Sequence, residues 1–314
     1  MNGVSIKYFV ITIASIFVAL GVGILIGFSV NSEKFVQKQF QQQLSLIDKN
    51  LVELKKENDR LLKEIDEYKT QINQLGKINN TLVNAYLKTC KSNAVVSLIL
   101  TSTDYSYNDL IDFLRKNQIK LARIVKIKRT FVDVLNNKTN DFPEYKLPED
   151  AINTLILYAV FDMKGELLSK LTEKRYIEIN RLSGEIADTI LIAGGNTIQN
   201  DTFNAIDRRF IEKLRNINDL NIIGVEQSYS EINYCEKYKS MGLDTVDNVD
   251  ELTGKVSLIE LIRGGNGNYG IKKEANLLMP NTFTSIDVSE NSLKKRRESL
   301  IEQYQSLQSA NIIQ

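Results

Sequence analysis

An uninterrupted apolar run, residues Tyr8–Phe28, most constrains what this chain can fold into. Its only polar side chains besides the tyrosine are Thr12 and Ser15, and no charge occurs between Lys7 and Glu33. A helix of this length spans about 31 Å, which matches the ~30 Å hydrocarbon core of a bilayer. A cleaved signal peptide would have an apolar region of only ~7–15 residues. The run therefore predicts an uncleaved transmembrane anchor over residues 1–30.

The charges that flank this run favour one orientation in the membrane. Lys7 and the α-amino group precede the run, whereas Glu33, Lys34 and Lys38 follow it. Positive charge biases a flank towards the cytoplasm. We expect a single-pass membrane protein with a cytoplasmic N-terminus and an extracytoplasmic bulk.

Three small residues in the apolar run, Ala19, Gly23 and Gly27, lie four positions apart. On a helix they share one face, where a second membrane helix can approach closely. Glycine is also simply common in membrane helices. The spacing nevertheless indicates an oligomerisation face.

A heptad repeat follows and predicts a coiled-coil stalk over residues 31–90. The a positions are Gln37, Leu44, Leu51, Asn58, Ile65, Ile72 and Asn79, and the d positions are Phe40, Ile47, Leu54, Leu61, Tyr68, Leu75 and Leu82. A single Asn at a central a position, here Asn58 between Leu51 and Leu61, favours a parallel dimer. Leu62 at an e position leaves a trimer or a partner coiled coil open.

Residues 91–280 show the pattern of an α/β domain with a mostly parallel sheet. Apolar runs predict buried strands at Ala94–Thr101, Leu121–Ile127, Asp188–Gly195 and Leu220–Val225. Helical spacing predicts helices at Tyr107–Asn117, Ala151–Arg181, Phe203–Asn216, Ser230–Met241 and Val249–Arg263. Strands that alternate with helices indicate parallel crossovers.

The last stretch, residues 281–314, is polar and is predicted to be a solvated helix or a disordered tail. It contains the basic cluster Lys294–Arg297. The formal net charge of the chain is only +1, and no aromatic residues are interleaved with the cluster. We therefore expect no nucleic-acid partner.

The composition argues against several kinds of chemistry. The chain has no histidine, which removes His-based triads and imidazole metal sites. Its two cysteines, Cys90 and Cys235, lack CxxC spacing, and both a single disulfide and two free thiols stay open. No nucleophile–base pair is evident, so we predict that the chain is not an enzyme and that it has no catalytic residues and no cofactor.

Two glycine-rich segments are candidate ligand loops. Gly194 and Gly195 end a predicted strand, where glycine lets a backbone approach a phosphate. Neither this segment nor the later one, with Gly267 and Gly270, has the residues of a P-loop. The alternative for the first segment is a strand-ending turn, and the alternative for the second is a turn that needs positive φ or a flexible loop.

The order of these features resembles the MctB-like family, named for copper transport and including SteB-type envelope proteins. The likeness covers most of residues 1–280: the start SIKYFVITIASIFVALGVGILIGFSV, the heptad stalk, AVVSLILT, DTILIAGG and NVDELTGKVSLIELIRGGNGNYG. Within the last segment, Gly267, Tyr269 and Gly270 resemble the terminal GxYG of the family. Asn268 stands where some relatives have histidine.

The resemblance implies a role in copper transport or homeostasis, with copper as the one metal to consider. Copper(I) favours thiolate and thioether ligands, which makes Cys90, Cys235 and Met241 weak candidate ligands. One spanning helix cannot enclose a pore without oligomerising. The alternative is a cell-envelope or cell-division scaffold that self-associates and presents the α/β domain to an envelope protein.

Overall fold

The structure, a computed structural model, describes residues 6–89, 92–136, 141–197, 202–283 and 286–309, without the side chains of residues 31–33 and 286–288. The chain divides into two compact units, Met1–Ile78 and Asn79–Gln314. The structure confirms the predicted fold class, in which a long apolar N-terminal helix precedes an α/β domain with a mostly parallel sheet.

The first unit is helical from Ile6 onwards, as part of helix α1 (Ile6–Thr89). Its apolar window is the only described segment that is long and apolar enough to cross a membrane. No residue of that window is buried, and Leu25 and Phe28 are 72% and 77% exposed. An apolar surface of this size on a single helix requires an apolar surrounding.

The second unit contains seven strands and eight further helices in its described residues. The strands are β1 (Val95–Leu100), β2 (Lys120–Ile127), β3 (Ile177–Arg181), β4 (Thr189–Ala193), β5 (Asn221–Val225), β6 (Asp244–Val246) and β7 (Asn268–Tyr269). The helices are α2 (Asn108–Lys116), α3 (Phe131–Leu135), α4 (Glu149–Phe161), α5 (Glu166–Glu173), α6 (Arg208–Leu214), α7 (Tyr234–Ser240), α8 (Leu252–Ile262) and α9 (Ile286–Ser309). A π-helical turn, Phe203–Asp207, leads into α6.

The strands form one sheet in the order β3-β2-β1-β4-β5-β6-β7, and only β3 is antiparallel to its neighbour. Alternate residues of each strand face opposite sides. In β4, Ile190 and Ile192 enter a core shared with α4, α5, α6 and α7. Leu191 and Ala193 enter a second core with α2 and α8. Both faces of the sheet are therefore covered, which explains the continuous apolar runs of the central strands.

The prediction of one helix over Ala151–Arg181 is wrong. Helix α4 ends at Phe161 because Asp162 adopts a left-handed conformation, with φ of 60°. After the short helix α5, the residues of β3 alternate between apolar and polar, and Ile177 is buried while Glu178 is exposed. A period of two favours an edge strand over a helix.

A buried arginine ties β2 to α4. The Arg123 side chain, on β2, is fully buried. Its guanidinium donates to the carbonyls of Ala159 at 3.0 Å and Val160 at 3.1 Å in the last turn of α4. It also donates to the carbonyl of Glu185 at 2.8 Å. A cation at the C-terminal end of a helix is favoured by the helix dipole.

The polar C-terminal stretch is not a solvated tail throughout. Leu293 and Leu300 of α9 are buried in the two cores. Nε of Arg297 donates to Oδ2 of Asp188 at 3.2 Å, and the same carboxylate oxygen accepts the N–H of Val95 at 3.0 Å. Part of the basic cluster therefore holds the beginning of β1 in place.

Candidate functional site

The carboxyl ends of β1, β4, β5 and β6 meet at one edge of the sheet, because these strands are parallel. The strand order reverses between β1 and β4, since β2 lies on one side and β5 on the other. In doubly wound sheets, ligands bind in the crevice at such a switch point. We call the loops that follow these four strands, residues 101–107, 194–197, 226–233 and 247–251, the switch-point edge.

The predicted ligand glycine Gly194 lies at the switch point, and tyrosines pack around it. The Tyr107 hydroxyl donates to the Gly194 carbonyl at 2.5 Å. A Cβ at Gly194 would lie 2.1 Å from the Tyr238 hydroxyl oxygen and 2.5 Å from the Tyr234 ring. Only glycine leaves room for these rings. The backbone thus approaches side chains of the protein itself in the space where a phosphate would bind in a dinucleotide-binding fold.

The turn is completed by Gly195, which has φ of 93° and would place a Cβ 2.5 Å from Oγ of Ser230. On the outer side of this turn, Asp104 links the loop after β1 to the loop after β4. Its Oδ2 accepts hydrogen bonds from the backbone N–H and the hydroxyl of Thr197, both at 3.0 Å. The protein's own side chains therefore pack against the described part of this turn.

A buried carboxylate, Asp207, lies beneath these loops at the end of the π-helical turn. Its Oδ1 accepts hydrogen bonds from the Thr101 hydroxyl at 2.6 Å and from the Tyr238 hydroxyl. Its Oδ2 has no hydrogen-bond partner among the described residues. Burial raises the pKa of Asp207 to about 6, against the lowering effect of the two hydroxyl donors. The site therefore holds a carboxyl group that stays protonated to a higher pH than an ordinary aspartate does.

A buried ion pair joins the loop after β5 to the segment after β7. Oε1 of Glu226 lies 2.8 Å from Nζ of Lys272, and Oε2 accepts the backbone N–H of Tyr234 at 2.7 Å. The lysine also donates to the Ser230 carbonyl at 3.0 Å. Burial raises the pKa of Glu226, although Lys272 acts in the opposite direction. The Glu226 carboxylate is fully buried, so it depends on Lys272 for the compensation of its charge.

The GxYG segment forms β7 and its two flanking turns. The N–H of Gly267 donates to Oδ1 of Asp244 at 2.7 Å, and the Tyr269 hydroxyl donates to the Asn266 carbonyl at 2.8 Å. Gly267 has φ of 139°, and a Cβ there would lie 2.7 Å from the Tyr269 ring. The first glycine therefore allows the tyrosine to fold back over its own turn.

The second glycine, Gly270, has φ of 141°, and a Cβ there would lie 1.9 Å from Oδ1 of Asp247. This carboxylate accepts the N–H groups of Ile271 at 2.8 Å and Lys272 at 3.1 Å. Burial raises the pKa of Asp247. The GxYG turn thus orients Lys272 towards Glu226. Its two glycines contact Asp244, the first residue of β6, and Asp247, which directly follows β6.

The three candidate sulfur ligands do not form a common site in the described part of the chain. Cys235 is a free, buried thiol whose Sγ donates to the Val246 carbonyl at 3.4 Å. Burial raises the pKa of this thiol, which keeps it protonated. Met241 packs against the first core. Cys90 lies outside the described residues.

The predicted oligomerisation residues all lie on α1. Leu51 and Leu61 are 57% and 44% exposed, and Asn58 is exposed between them. Nothing lies within 4 Å of a Cβ placed at Gly23 or Gly27. Ala19 is exposed on the same helix. These faces are open in a single chain, and their pairing stays a prediction.

The fold and the site define a membrane-associated protein whose α/β domain fills its own switch-point crevice with tyrosines and carboxylates. The chain belongs to the family described as "Copper transport outer membrane protein, MctB", which matches residues 4–139 and 113–280. This match confirms the family resemblance. A comparison with curated proteins gives no match. The family and the apolar helix together associate the chain with a membrane, and the family is one of transport proteins.

The described residues do not fit a resident copper ion. They contain no group of three or more Cys, Asp or Glu side chains that could hold a metal. Copper(I) needs accessible thiolate or thioether sulfur, whereas the Cys235 thiol is buried and protonated.

Several residues of the switch-point edge could not be found from the sequence. Asp207, Glu226 and Lys272 are ordinary charged residues there, and their partners come from distant segments. One signal was available for Glu226, because it directly follows a continuous apolar strand. A carboxylate at that position lies at the ligand-binding edge of a parallel sheet.

Proposed function

We propose that this chain acts in copper transport or homeostasis as a membrane-anchored protein. The observation that carries the proposal is the family match, which extends from the apolar helix to the GxYG segment. In this proposal, α1 anchors the chain and the α/β domain lies outside the membrane. The positive flank at Lys7 supports a cytoplasmic N-terminus and an extracytoplasmic domain.

The contribution of the domain to copper handling is indirect in this proposal. The carboxylates of Glu226 and Asp247 accept hydrogen bonds from the protein's own donors, and the Cys235 thiol is protonated in the core. A single anchor without charged or metal-binding side chains offers no route for an ion. The chain would therefore act on copper as part of an assembly.

Cellular copper tests this proposal. We expect deletion of the gene to change cellular copper content and copper tolerance, and the intact chain to restore both. A chain without residues 1–30 serves as the control for membrane anchoring and should not restore them. Unchanged copper content and tolerance after deletion would refute the proposal.

A second candidate function is a self-associating envelope scaffold, and the exposed heptad row favours it. The d residues of the row are all exposed, and all of them except Leu61, among them Ile47 and Leu54, are more than half exposed. Apolar rows with a seven-residue repeat bury themselves against a second helix. We propose a parallel dimer or small oligomer that presents its α/β domains to an envelope protein.

Crosslinking in intact cells tests the scaffold. Leu61→Glu places a charge in the d row, whereas Lys63→Glu places the same charge at an f position outside it. We expect the first variant to lose crosslinked oligomers and the second to keep them. The scaffold would be excluded if the unaltered chain crosslinks neither to itself nor to any envelope protein.

A further inference from the structure

A groove in the α/β domain has no assigned role. Its volume is about 720 Å³, within the range of about 300–1,000 Å³ that is typical of small-molecule sites. It lies between α2, the loop after β1 and the exposed faces of β2 and β3. We call it the α2–β3 groove. The loop after β1, which belongs to the switch-point edge, forms one of its walls.

Hydrogen bonds hold the loop that forms one wall of the α2–β3 groove. The loop wall is held because Nε2 of Gln227 donates to the Ser106 carbonyl at 2.6 Å, and the N–H of Tyr105 donates to Oγ of Ser102 at 3.1 Å. Ile124 of β2, which is buried, forms part of the floor. A preformed groove binds a ligand without a large ordering cost.

Two cations and two carboxylates line the groove, and one of the carboxylates has an ion-pair partner outside it. Glu178 pairs with Lys128, and Lys126 lies close enough to interact with the same carboxylate. Arg115 and Asp112 line the groove from α2. Neither of these two residues has an ion pair in the part of the chain that the structure describes. Lys128 lies outside the groove and neutralises Glu178, so Arg115 and Lys126 face one further carboxylate, that of Asp112.

The remaining polar groups of the groove are neutral. Ser106, Asn108 and Asn180 line it, and Tyr105 contributes a half-buried ring. Amide and hydroxyl groups of this kind hydrogen-bond to hydroxyl groups of a ligand. An arginine fork is suited to a carboxylate or a phosphate.

We propose that the α2–β3 groove binds a small, hydroxyl-rich organic anion. Its carboxylate or phosphate group contacts Arg115 and Lys126, and its hydroxyl groups contact Asn108 and Asn180. The apolar floor and the Tyr105 ring contact the carbon skeleton. This site is independent of the copper proposal, because it uses no sulfur ligand and no residue of α1.

Equilibrium dialysis of the full chain in a nonionic polyoxyethylene detergent tests the site. The probes are glucuronate for a carboxylate, glycerol 3-phosphate for a phosphate ester, inorganic phosphate, and glucose as the neutral control. We expect glucuronate or glycerol 3-phosphate to bind with a dissociation constant of about 1 mM or below. Arg115→Gln should weaken that binding about tenfold or more, because it removes charge-assisted hydrogen bonds.

Lys116→Gln is the matched control, since it removes one charge from the same helix outside the groove. It should leave binding unchanged. Binding of only one of the two organic anions supports the site and identifies its acidic group. The proposal is overturned if neither organic anion binds, if glucose or inorganic phosphate binds as tightly, or if Arg115→Gln and Lys116→Gln bind equally well.

Discussion

The buried carboxyl group of Asp207 should make the stability of the α/β domain depend on pH. Its side chain is fully buried, and burial raises its pKa from 3.8 to about 6. The difference corresponds to about 3 kcal/mol of unfolding free energy, at ~1.36 kcal/mol for each pKa unit. The cause of the raised pKa is desolvation. Oδ1 accepts two hydrogen bonds, but Oδ2 accepts none from the described residues.

The sign follows from the direction of the shift. The folded state binds the Asp207 proton more tightly than the unfolded state does, so this group's contribution to stability is complete below about pH 4. That contribution is lost as the pH rises through about 6. Asp207→Asn cannot ionise. The unfolding free energy of the variant minus that of the unaltered protein should therefore increase by about 3 kcal/mol between pH 4 and pH 7.

Urea unfolding at a series of pH values measures this difference. Near-ultraviolet circular dichroism is a suitable signal, because the chain has no tryptophan and its fully buried tyrosines all lie in this domain. The other buried carboxylates are present in both proteins and cancel. Asp219→Asn, at an exposed carboxylate, is the control and should give a constant difference. A constant difference for Asp207→Asn, within about 0.5 kcal/mol, would refute the reasoning.

Three further perturbations test other parts of the structure. Gly270→Ala should lower the unfolding free energy by about 2 kcal/mol or more, because the position has a positive φ and a Cβ there would meet a carboxylate. The control is Gly165→Ala, where a Cβ would lie in open space, and it should change the urea midpoint little. Lys272→Met should cost about 3–5 kcal/mol by leaving Glu226 buried and unpaired, and the addition of Glu226→Gln should restore much of the lost urea resistance. Asn58→Leu should shift the sedimenting species from dimers towards larger oligomers, and an unchanged distribution would contradict a parallel dimer set by this residue.

The central strands could be predicted from the sequence because burial on both faces gives each of them a continuous apolar run. The predicted strand Ala94–Thr101 differs from β1 by one residue at each end. Helices cover both sides of this part of the sheet, so every residue of the strand is apolar or small. The same argument accounts for β4 and β5. Strands β6 and β7 were missed, because three and two residues are too few to show a period.

The contacts of the site could not be predicted, because they join distant segments. Thr101 and Asp207 are 106 positions apart, and Glu226 and Lys272 are 46 apart. Whether a charged side chain can be buried depends on such partners, and a single sequence does not reveal them. The glycine turns were visible in the sequence. Their neighbours, which are tyrosines and aspartates of the protein, were not.

The hydrogen bonds at the switch point bear on where this family member can bind other molecules. Opening the crevice would break the hydrogen bond from Tyr107 to Gly194 and expose the carboxylate of Asp207. Each buried polar group left without a partner costs about 1–3 kcal/mol, so a ligand would have to replace several such bonds at once. The open surfaces carry no comparable cost. We therefore expect binding at the α2–β3 groove and along the exposed heptad row of α1, with the switch-point edge as the rigid part that supports the groove.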